Sequence, residues 1–122
     1  MAILALDHIQ LAMPPGGEDL ARAFYCGVLG LVEQPKPENL ARRGGVWFAA
    51  GVVRLHLGVE PGFAPARKAH PAFLVDDLDR LRRDCIAAGH AVIEDEPLPG
   101  YRRFYVDDPF GNRIECLELV SD

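Results

Sequence analysis

The chain is poor in cysteine and has no CxxC pair. Its three cysteines are Cys26, Cys85 and Cys116, an odd number, and each lies in an apolar segment. A disulfide framework is therefore disfavoured, and a reducing, cytoplasmic compartment is the expected location. We interpret all three as small buried hydrophobic residues that take no part in metal or redox chemistry.

Clusters of basic residues and long apolar runs are also missing. Lysine and arginine number 13 against 18 acidic residues, which gives a net charge of −5 and disfavours nucleic acid as a partner. No apolar run approaches the roughly 18 residues that would span a membrane. The N-terminus MAILALDHIQ lacks the basic region of a signal peptide, so we interpret it as the first strand.

What is present is the composition of a folded domain, with 49% apolar residues in a chain of 122, and a single domain over 1–122 is predicted. The predicted elements repeat in the order β-α-β-β-β, once over about 1–60 and once over about 68–120. In the first repeat we predict strands over 3–13, 31–34, 45–50 and 51–59 and a helix over 18–29. In the second, strands are predicted over 71–75, 91–94, 102–106 and 113–119 and a helix over 78–88.

Side chains that can bind a metal occupy matching points of the two repeats. His8 and His70 each open a repeat, while His56 and Glu115 each lie in its last strand. The stretches RLHL around His56 and RIEC around Glu115 also match by residue type. A duplication of this kind predicts one site on the pseudo-twofold axis between the halves.

These segments resemble the vicinal-oxygen-chelate superfamily, which includes glyoxalases, bleomycin-resistance proteins and dioxygenases. The matching stretches are LDHIQLAM, DLARAFYCGVLGL, VVRLHL, VDDLDRL and RRFYVDDPFGNRIECLEL, in which DPxGxxxE is the most specific part. They extend over essentially the whole chain. The resemblance implies an α+β fold of two βαβββ modules, with curled mixed sheets around a central cavity, and a homodimer.

By the same resemblance His8, His56, His70 and Glu115 are ligands of one divalent ion, among Zn, Ni, Mn, Co and Fe(II). The implied activity is glyoxalase-like isomerase, lyase or epimerase chemistry on a small substrate whose oxygens chelate the ion. Glu115 is the expected catalytic base and His56 the second candidate. Glyoxalase I-type enzymes usually have glutamate where this chain has His56. That residue is therefore a fourth ligand, an acid/base group or a hydrogen-bonding residue of the cavity.

Four basic residues are candidate substrate ligands. Arg67 and Lys68 precede His70, and Arg102 and Arg103 lie at the start of the penultimate strand. Arginine offers a planar fork of donors to a carboxylate or phosphate. The alternative for each of the four is a solvated surface position.

Two further functions stay open. An Fe(II) extradiol-type dioxygenase needs only His8, His70 and Glu115, although many such enzymes carry an additional module and more catalytic histidines. A metal-free resistance protein that binds an antibiotic or another small molecule is the other, although such relatives generally lack the ligand set. Glutathione as a co-substrate has no sequence signature here, and the short linker disfavours a fosfomycin-type transferase.

Three other positions receive structural interpretations. Trp47 is interpreted as a core residue. Glu118, on the opposite strand face from Glu115, is expected to be solvated. The segment 108–112 is predicted to be a turn that aims the Glu115 strand.

Overall fold

A computed structural model describes residues 2–120 and divides the chain into two compact units between Phe63 and Ala64. Each unit contains a four-stranded mixed sheet and few helices. The predicted α+β class is therefore confirmed, and the β-α-β-β-β order recurs in both units, with one short additional helix in the first that was not predicted. No helix in the described part of the chain is long and apolar enough to cross a membrane.

The first unit contains β1 (Ile9–Met13), α1 (Glu18–Tyr25), β2 (Val32–Gln34), α2 (Glu38–Ala41), β3 (Val46–Ala50) and β4 (Val53–Val59). The strand order is β1-β4-β3-β2, in which β1 runs parallel to β4 and the other pairs are antiparallel. The hairpin between β3 and β4 turns at Gly51, as predicted.

One face of this sheet packs on α1. Phe48 and Leu55 are buried in the sheet, and Tyr25 of α1 lies against the Phe48 ring with 5.4 Å between centroids. Side chains alternate between the two faces of a strand. Trp47 and His56, which alternate with these core residues, therefore lie on the other face.

The second unit contains β5 (Ala72–Leu74), α3 (Leu78–Ala87), β6 (Val92–Ile93), β7 (Tyr101–Asp107) and β8 (Arg113–Leu119). Its strand order, β5-β8-β7-β6, repeats the order of the first unit. The buried residues of α3 and of alternate positions in β7 and β8 form the core: Leu78, Cys85, Phe104, Val106, Ile114 and Cys116. Burial raises the pKa of the Cys85 thiol to about 11 and that of the Cys116 thiol to about 12.

Two predicted boundaries were wrong. The first strand begins at Ile9 rather than at residue 3, because its pairing with β4 starts at Ile9 opposite Leu55. Residues before it are exposed, including Leu4 at 97%. Helix α1 ends at Tyr25 rather than at residue 29, and the chain then turns through Gly27, where a Cβ would lie 2.3 Å from the Ala23 carbonyl oxygen.

Glu118 is also not simply solvated as expected. Its Oε1 accepts a hydrogen bond from the backbone N–H of Leu78 at 3.2 Å, so it stabilises the first turn of α3. Asp77 accepts from the N–H of Arg80 in the same turn.

The turn before β8 is confirmed. Oδ1 of Asp108 accepts hydrogen bonds from the N–H groups of Phe110 and Asn112, and Gly111 has a φ of 91°. This turn sets the direction of β8 after β7, and with it the position of Glu115.

Candidate functional site

In the first unit a row of side chains crosses the sheet on the face that α1 leaves uncovered. Gln10 on β1 lies opposite His56 on β4, and Trp47 on β3 lies opposite His56 from the other side. His8 precedes Gln10 by two residues and lies just before β1, not within a strand as predicted.

The second unit has the same row with different residues. Ala72 on β5 lies opposite Glu115 on β8, and Tyr105 on β7 lies opposite Glu115 from the other side. His70 precedes Ala72 by two residues, as His8 precedes Gln10. The strand register within each unit therefore shows which residues are equivalent. His8 corresponds to His70, His56 to Glu115, and Trp47 to Tyr105.

Three aromatic rings stack in the first unit. The His56 ring lies parallel to the Trp47 indole, with 4.0 Å between centroids and 4° between planes, and the His8 ring lies 4.2 Å from that of His56. Burial, followed by the nearby His8, lowers the pKa of His56. A neutral imidazole at this position can accept a proton or bind a metal.

His8 is oriented by a carboxylate. Its Nδ1 lies 3.0 Å from Oδ1 of Asp7, whose other oxygen accepts a hydrogen bond from Arg54 at 3.1 Å. The His8 hydrogen bond, followed by the charge of Arg54, lowers the pKa of Asp7. An ionised carboxylate only accepts, so Nδ1 of His8 carries a proton.

His70 is oriented in the same way by a backbone carbonyl. Its Nδ1 lies 2.8 Å from the Lys68 oxygen, and its Nε2 lies 2.9 Å from Oε1 of Glu115. A carbonyl oxygen only accepts, so Nδ1 carries a proton and Nε2 faces the carboxylate. The Tyr105 ring meets the His70 ring edge to face, with 5.3 Å between centroids.

Glu115 is buried, with 8% of its side chain exposed, and Arg103 pairs with its second oxygen. Nη1 of Arg103 donates to Oε2 of Glu115 at 3.1 Å and to the Tyr105 hydroxyl at 3.0 Å, while Nη2 donates to the Glu96 carbonyl at 2.6 Å. This hydrogen bonding to Glu115 raises the pKa of Arg103. Arg103 thus holds the carboxylate of Glu115 in place, a contact that residue type alone did not reveal.

The other predicted substrate ligands lie elsewhere in the second unit. Arg102 points to the opposite face, where it pairs with Asp79 at 2.5 Å and with Glu118 at 3.5 Å. Arg67 and Lys68 are exposed in the segment before β5.

The predicted metal ligands come together in pairs within each unit. His8 contacts His56 in the first unit, and His70 contacts Glu115 in the second. Within residues 2–120, no group of three or more histidine, cysteine, aspartate or glutamate side chains is arranged to hold a metal ion.

The first unit also contains a cavity of about 290 Å³ that was not predicted. Its polar lining comes from Gln10, Lys36, Arg43 and Trp47, and the remaining lining residues are Leu40, Gly44, Leu57, Gly58 and Val59. Trp47 is half-buried rather than a core residue, because it alternates along β3 with the buried Val46 and Phe48. That alternation was readable in the sequence.

The family follows from comparison with known proteins. A family model described as a glyoxalase-like domain matches residues 16–117. The chain belongs to this family, within the vicinal-oxygen-chelate superfamily. None of the curated proteins compared with the chain matches it. Members of the superfamily commonly use a divalent metal, bind small molecules and often form dimers.

Solved structures of other proteins share the fold. A Bacillus anthracis protein named for the glyoxalase family is 49% identical, with a TM-score of 0.93 and 98% of each chain covered. The genomically encoded fosfomycin resistance protein FosX from Listeria monocytogenes is 16% identical, with a TM-score of 0.74 and 99% of this chain and 95% of that chain covered. TnmS3, an antibiotic binding protein from Streptomyces sp. CB03234, is 22% identical, with a TM-score of 0.73 and coverage of 98% and 99%. At these two lower identities the likeness concerns the fold alone.

Proposed function

We propose that the protein is a metal-dependent, glyoxalase-like enzyme that performs isomerase, lyase or epimerase chemistry on a small substrate with chelating oxygens. The observation that carries this proposal is the contact between Nε2 of His70 and Oε1 of Glu115 at 2.9 Å. It brings together an imidazole nitrogen and a carboxylate oxygen, both of which suit a first-row divalent ion.

The donor spacing fits such an ion. Two donors bound at about 2.0–2.2 Å, at right angles to each other, lie about 2.9 Å apart. The Nε2 and Oε1 atoms already have that separation. We therefore propose His70 and Glu115 as ligands at neighbouring coordination positions.

The groups behind the ligands fit as well. Metal-binding histidines usually donate their other ring N–H to a carboxylate or a backbone carbonyl, which fixes the tautomer. His70 does so to Lys68, and His8 does so to Asp7. We therefore keep His8 and His56 with His70 and Glu115 as the proposed ligand set, as the superfamily resemblance implies.

In this proposal Glu115 is the candidate base. Arg103 donates to Oε2 and Nε2 of His70 contacts Oε1, so Glu115 would take up a proton from a bound substrate and return it once Oε1 is released from that contact. Arg103 is a positioning residue that fixes the plane of the carboxylate. A bound divalent ion would supply Lewis-acid polarisation of the substrate oxygens. His56, held between two rings, is the second candidate base.

Cobalt titration tests the proposal directly. Chelator-treated protein titrated with Co²⁺ is expected to develop the visible absorption of a cobalt ion bound by nitrogen and oxygen. His70→Ala and Glu115→Ala should lose that signal, while His90→Ala, which removes the histidine outside the set, should keep it. A wild-type protein that gives no cobalt spectrum, or spectra unchanged in all three variants, would contradict the proposal.

Metal-free binding is the second candidate function, and the cavity of the first unit favours it. In that case a small molecule would bind equally well before and after chelator treatment, and no metal-dependent turnover would be found. A further assay distinguishes dioxygenase activity from both of these functions: oxygen uptake is measured with catechols after anaerobic loading with Fe²⁺. Uptake would assign His8, His70 and Glu115 to a two-histidine, one-carboxylate iron site.

A further inference from the structure

The two units have different residues at the positions that lie two residues from the equivalent pairs His56 and Glu115, and Trp47 and Tyr105. Gly58 follows His56 by two residues, as Leu117 follows Glu115. On the neighbouring strand, Gly45 precedes Trp47 by two residues, as Arg103 precedes Tyr105. The first unit therefore has two glycines where the second has an arginine and a leucine.

The second unit has large side chains at the positions of these glycines. Arg103 and Leu117 lie opposite each other on β7 and β8. In the first unit Gly58 lines the cavity beside Trp47. Gly45 has a φ of 82°, and a Cβ there would lie 2.2 Å from the Leu57 carbonyl oxygen, so the backbone itself excludes a side chain at this position.

Two cations line the same cavity. Lys36 donates to the Gly44 carbonyl, and the Arg43 side chain is exposed at the rim. Among the described residues, neither cation forms an ion pair with a carboxylate. The nearby carboxylate of Glu18 instead accepts the N–H of Gly45 at 2.8 Å. Lys36 and Arg43 are thus the charged residues of the cavity lining.

Besides the two cations and Gln10, the cavity is lined by apolar residues and glycines. Trp47 and Leu40 are among its lining residues. Ligand pockets range from about 300 to 1,000 Å³. The volume of about 290 Å³ is at the small end of that range and limits the occupant to a compact molecule.

We propose that this cavity binds a small carboxylic acid with a planar apolar body, its carboxylate toward Lys36 and Arg43 and its body against Trp47. Guanidinium and ammonium groups are the usual donors to carboxylates, and a flat body packs well on an indole. That this acid is the substrate rests on the proposed function above. Binding itself requires no metal ion, so the two proposals fail separately.

Trp47 makes the test direct, because it is the single tryptophan of the chain. Tryptophan emission, excited at the red edge of the band, is followed in chelator-treated protein during titration with benzoate, with the neutral isostere benzamide, and with inorganic phosphate. Calorimetry on the same solutions checks affinity independently. We expect saturable benzoate binding, with benzamide at least about tenfold weaker, the value of one charge-assisted contact. Equal affinity for benzoate and benzamide, stronger binding of phosphate, or no binding by either method would overturn the proposal.

Three variants locate the binding. Arg43→Met should weaken benzoate by about tenfold, while the neighbouring Arg42→Met, which removes a cation outside the cavity lining, should leave it unchanged. Gly58→Leu places the second unit's leucine in the first unit's cavity and should abolish binding. Its Cβ would meet only the flexible end of Gln10, and circular dichroism checks that the variant folds. Equal effects of the two arginine changes, or full binding by folded Gly58→Leu, would overturn the proposal.

Cobalt binding in these variants keeps the two proposals apart. Arg43→Met should bind Co²⁺ like the wild type. Cobalt binding without benzoate binding would overturn the carboxylate site alone. Benzoate binding without cobalt binding would support the cavity as a ligand site and overturn the metal-dependent function and, with it, the assignment of this acid as substrate.

Discussion

The two units of this chain have the same strand order and the same register, yet the equivalent residues have different neighbours. His56 lies between the rings of Trp47 and His8, whereas Glu115, its counterpart, lies between His70 and Arg103. The first arrangement is a stack of aromatic rings. The second is a line of charged hydrogen bonds.

This difference shows what duplication preserves and what it leaves free. The backbone fixes where a ligand-type side chain lies, because a row across the sheet is set by strand pairing. The residues two positions further along the same or the neighbouring strand then determine the surroundings of that side chain. Arg103 partners a buried carboxylate in one unit, while in the other Gly58, the counterpart of Leu117, lines a cavity.

The largest expected effect tests whether the cores of the units are equivalent. Leu55 and Ile114 occupy matching positions, directly before His56 and Glu115, and both are fully buried. Leu55→Ala and Ile114→Ala should each lower the free energy of unfolding by about 2–5 kcal/mol, since each leaves a cavity. Urea denaturation measures both. A loss below about 1 kcal/mol in either would break the equivalence.

The next largest expected effect, a loss of Co²⁺ affinity, distinguishes the two pairs of candidate ligands. In the second unit Nε2 of His70 and Oε1 of Glu115 lie 2.9 Å apart, whereas the two histidines of the first unit are stacked. His70→Ala should therefore lower Co²⁺ affinity by more than about a hundredfold, beyond the range for residues behind the ligands. His56→Ala should lower it by about tenfold. Competition with a chromophoric chelator measures both, and the reverse order would contradict the comparison.

Smaller losses of metal affinity are expected when the residues that hydrogen-bond to the proposed ligands are substituted. Arg103 lies on a buried carboxylate, while Asp7 is largely exposed, with 74% of its side chain in solvent. Arg103→Met should weaken metal binding by about tenfold, and Asp7→Asn by less, because water replaces an exposed partner more readily. The same competition assay compares them. An Asp7→Asn effect larger than that of Arg103→Met would show that exposure does not decide the difference.

The smallest effect concerns the thiols. Burial raises the pKa of Cys85 and Cys116, so both are neutral thiols at pH 7, and it raises the pKa of the half-buried Cys26 as well. Because the thiolate is the reactive form, alkylation should be slow, with Cys26 modified first. Peptide mass spectrometry after timed iodoacetamide treatment follows the order. Early modification of Cys116 would contradict the packing of the second unit.

Much of the fold could be predicted because the chain repeats. The order of elements, the hairpins, and the matching of His8 with His70 and of His56 with Glu115 all follow from residue types at corresponding points. The start of β1 could not be predicted, because the apolar residues before Ile9 look like strand, whereas the pairing with β4 begins only at Ile9, opposite Leu55.

The contacts of the site were less predictable than its residues. Arg103 was recognised as a basic residue near the site, but its bond to Glu115 depends on cross-strand geometry. The cavity is lined by Lys36, Trp47 and Gly58, which lie on separate segments that only folding brings together. Trp47 was interpreted as core, although its alternation with Val46 and Phe48 indicated the opposite face.

Metal content tests the central claim most directly. The wild type, Glu115→Gln and Glu118→Gln are purified without a histidine tag and analysed for elements. The two glutamates lie on the same strand but on opposite faces, so the substitutions are matched. The account predicts about one first-row divalent ion per chain in the wild type and in Glu118→Gln, and a large loss in Glu115→Gln. No ion in the wild type even after reconstitution, or equal content in all three proteins, would contradict it.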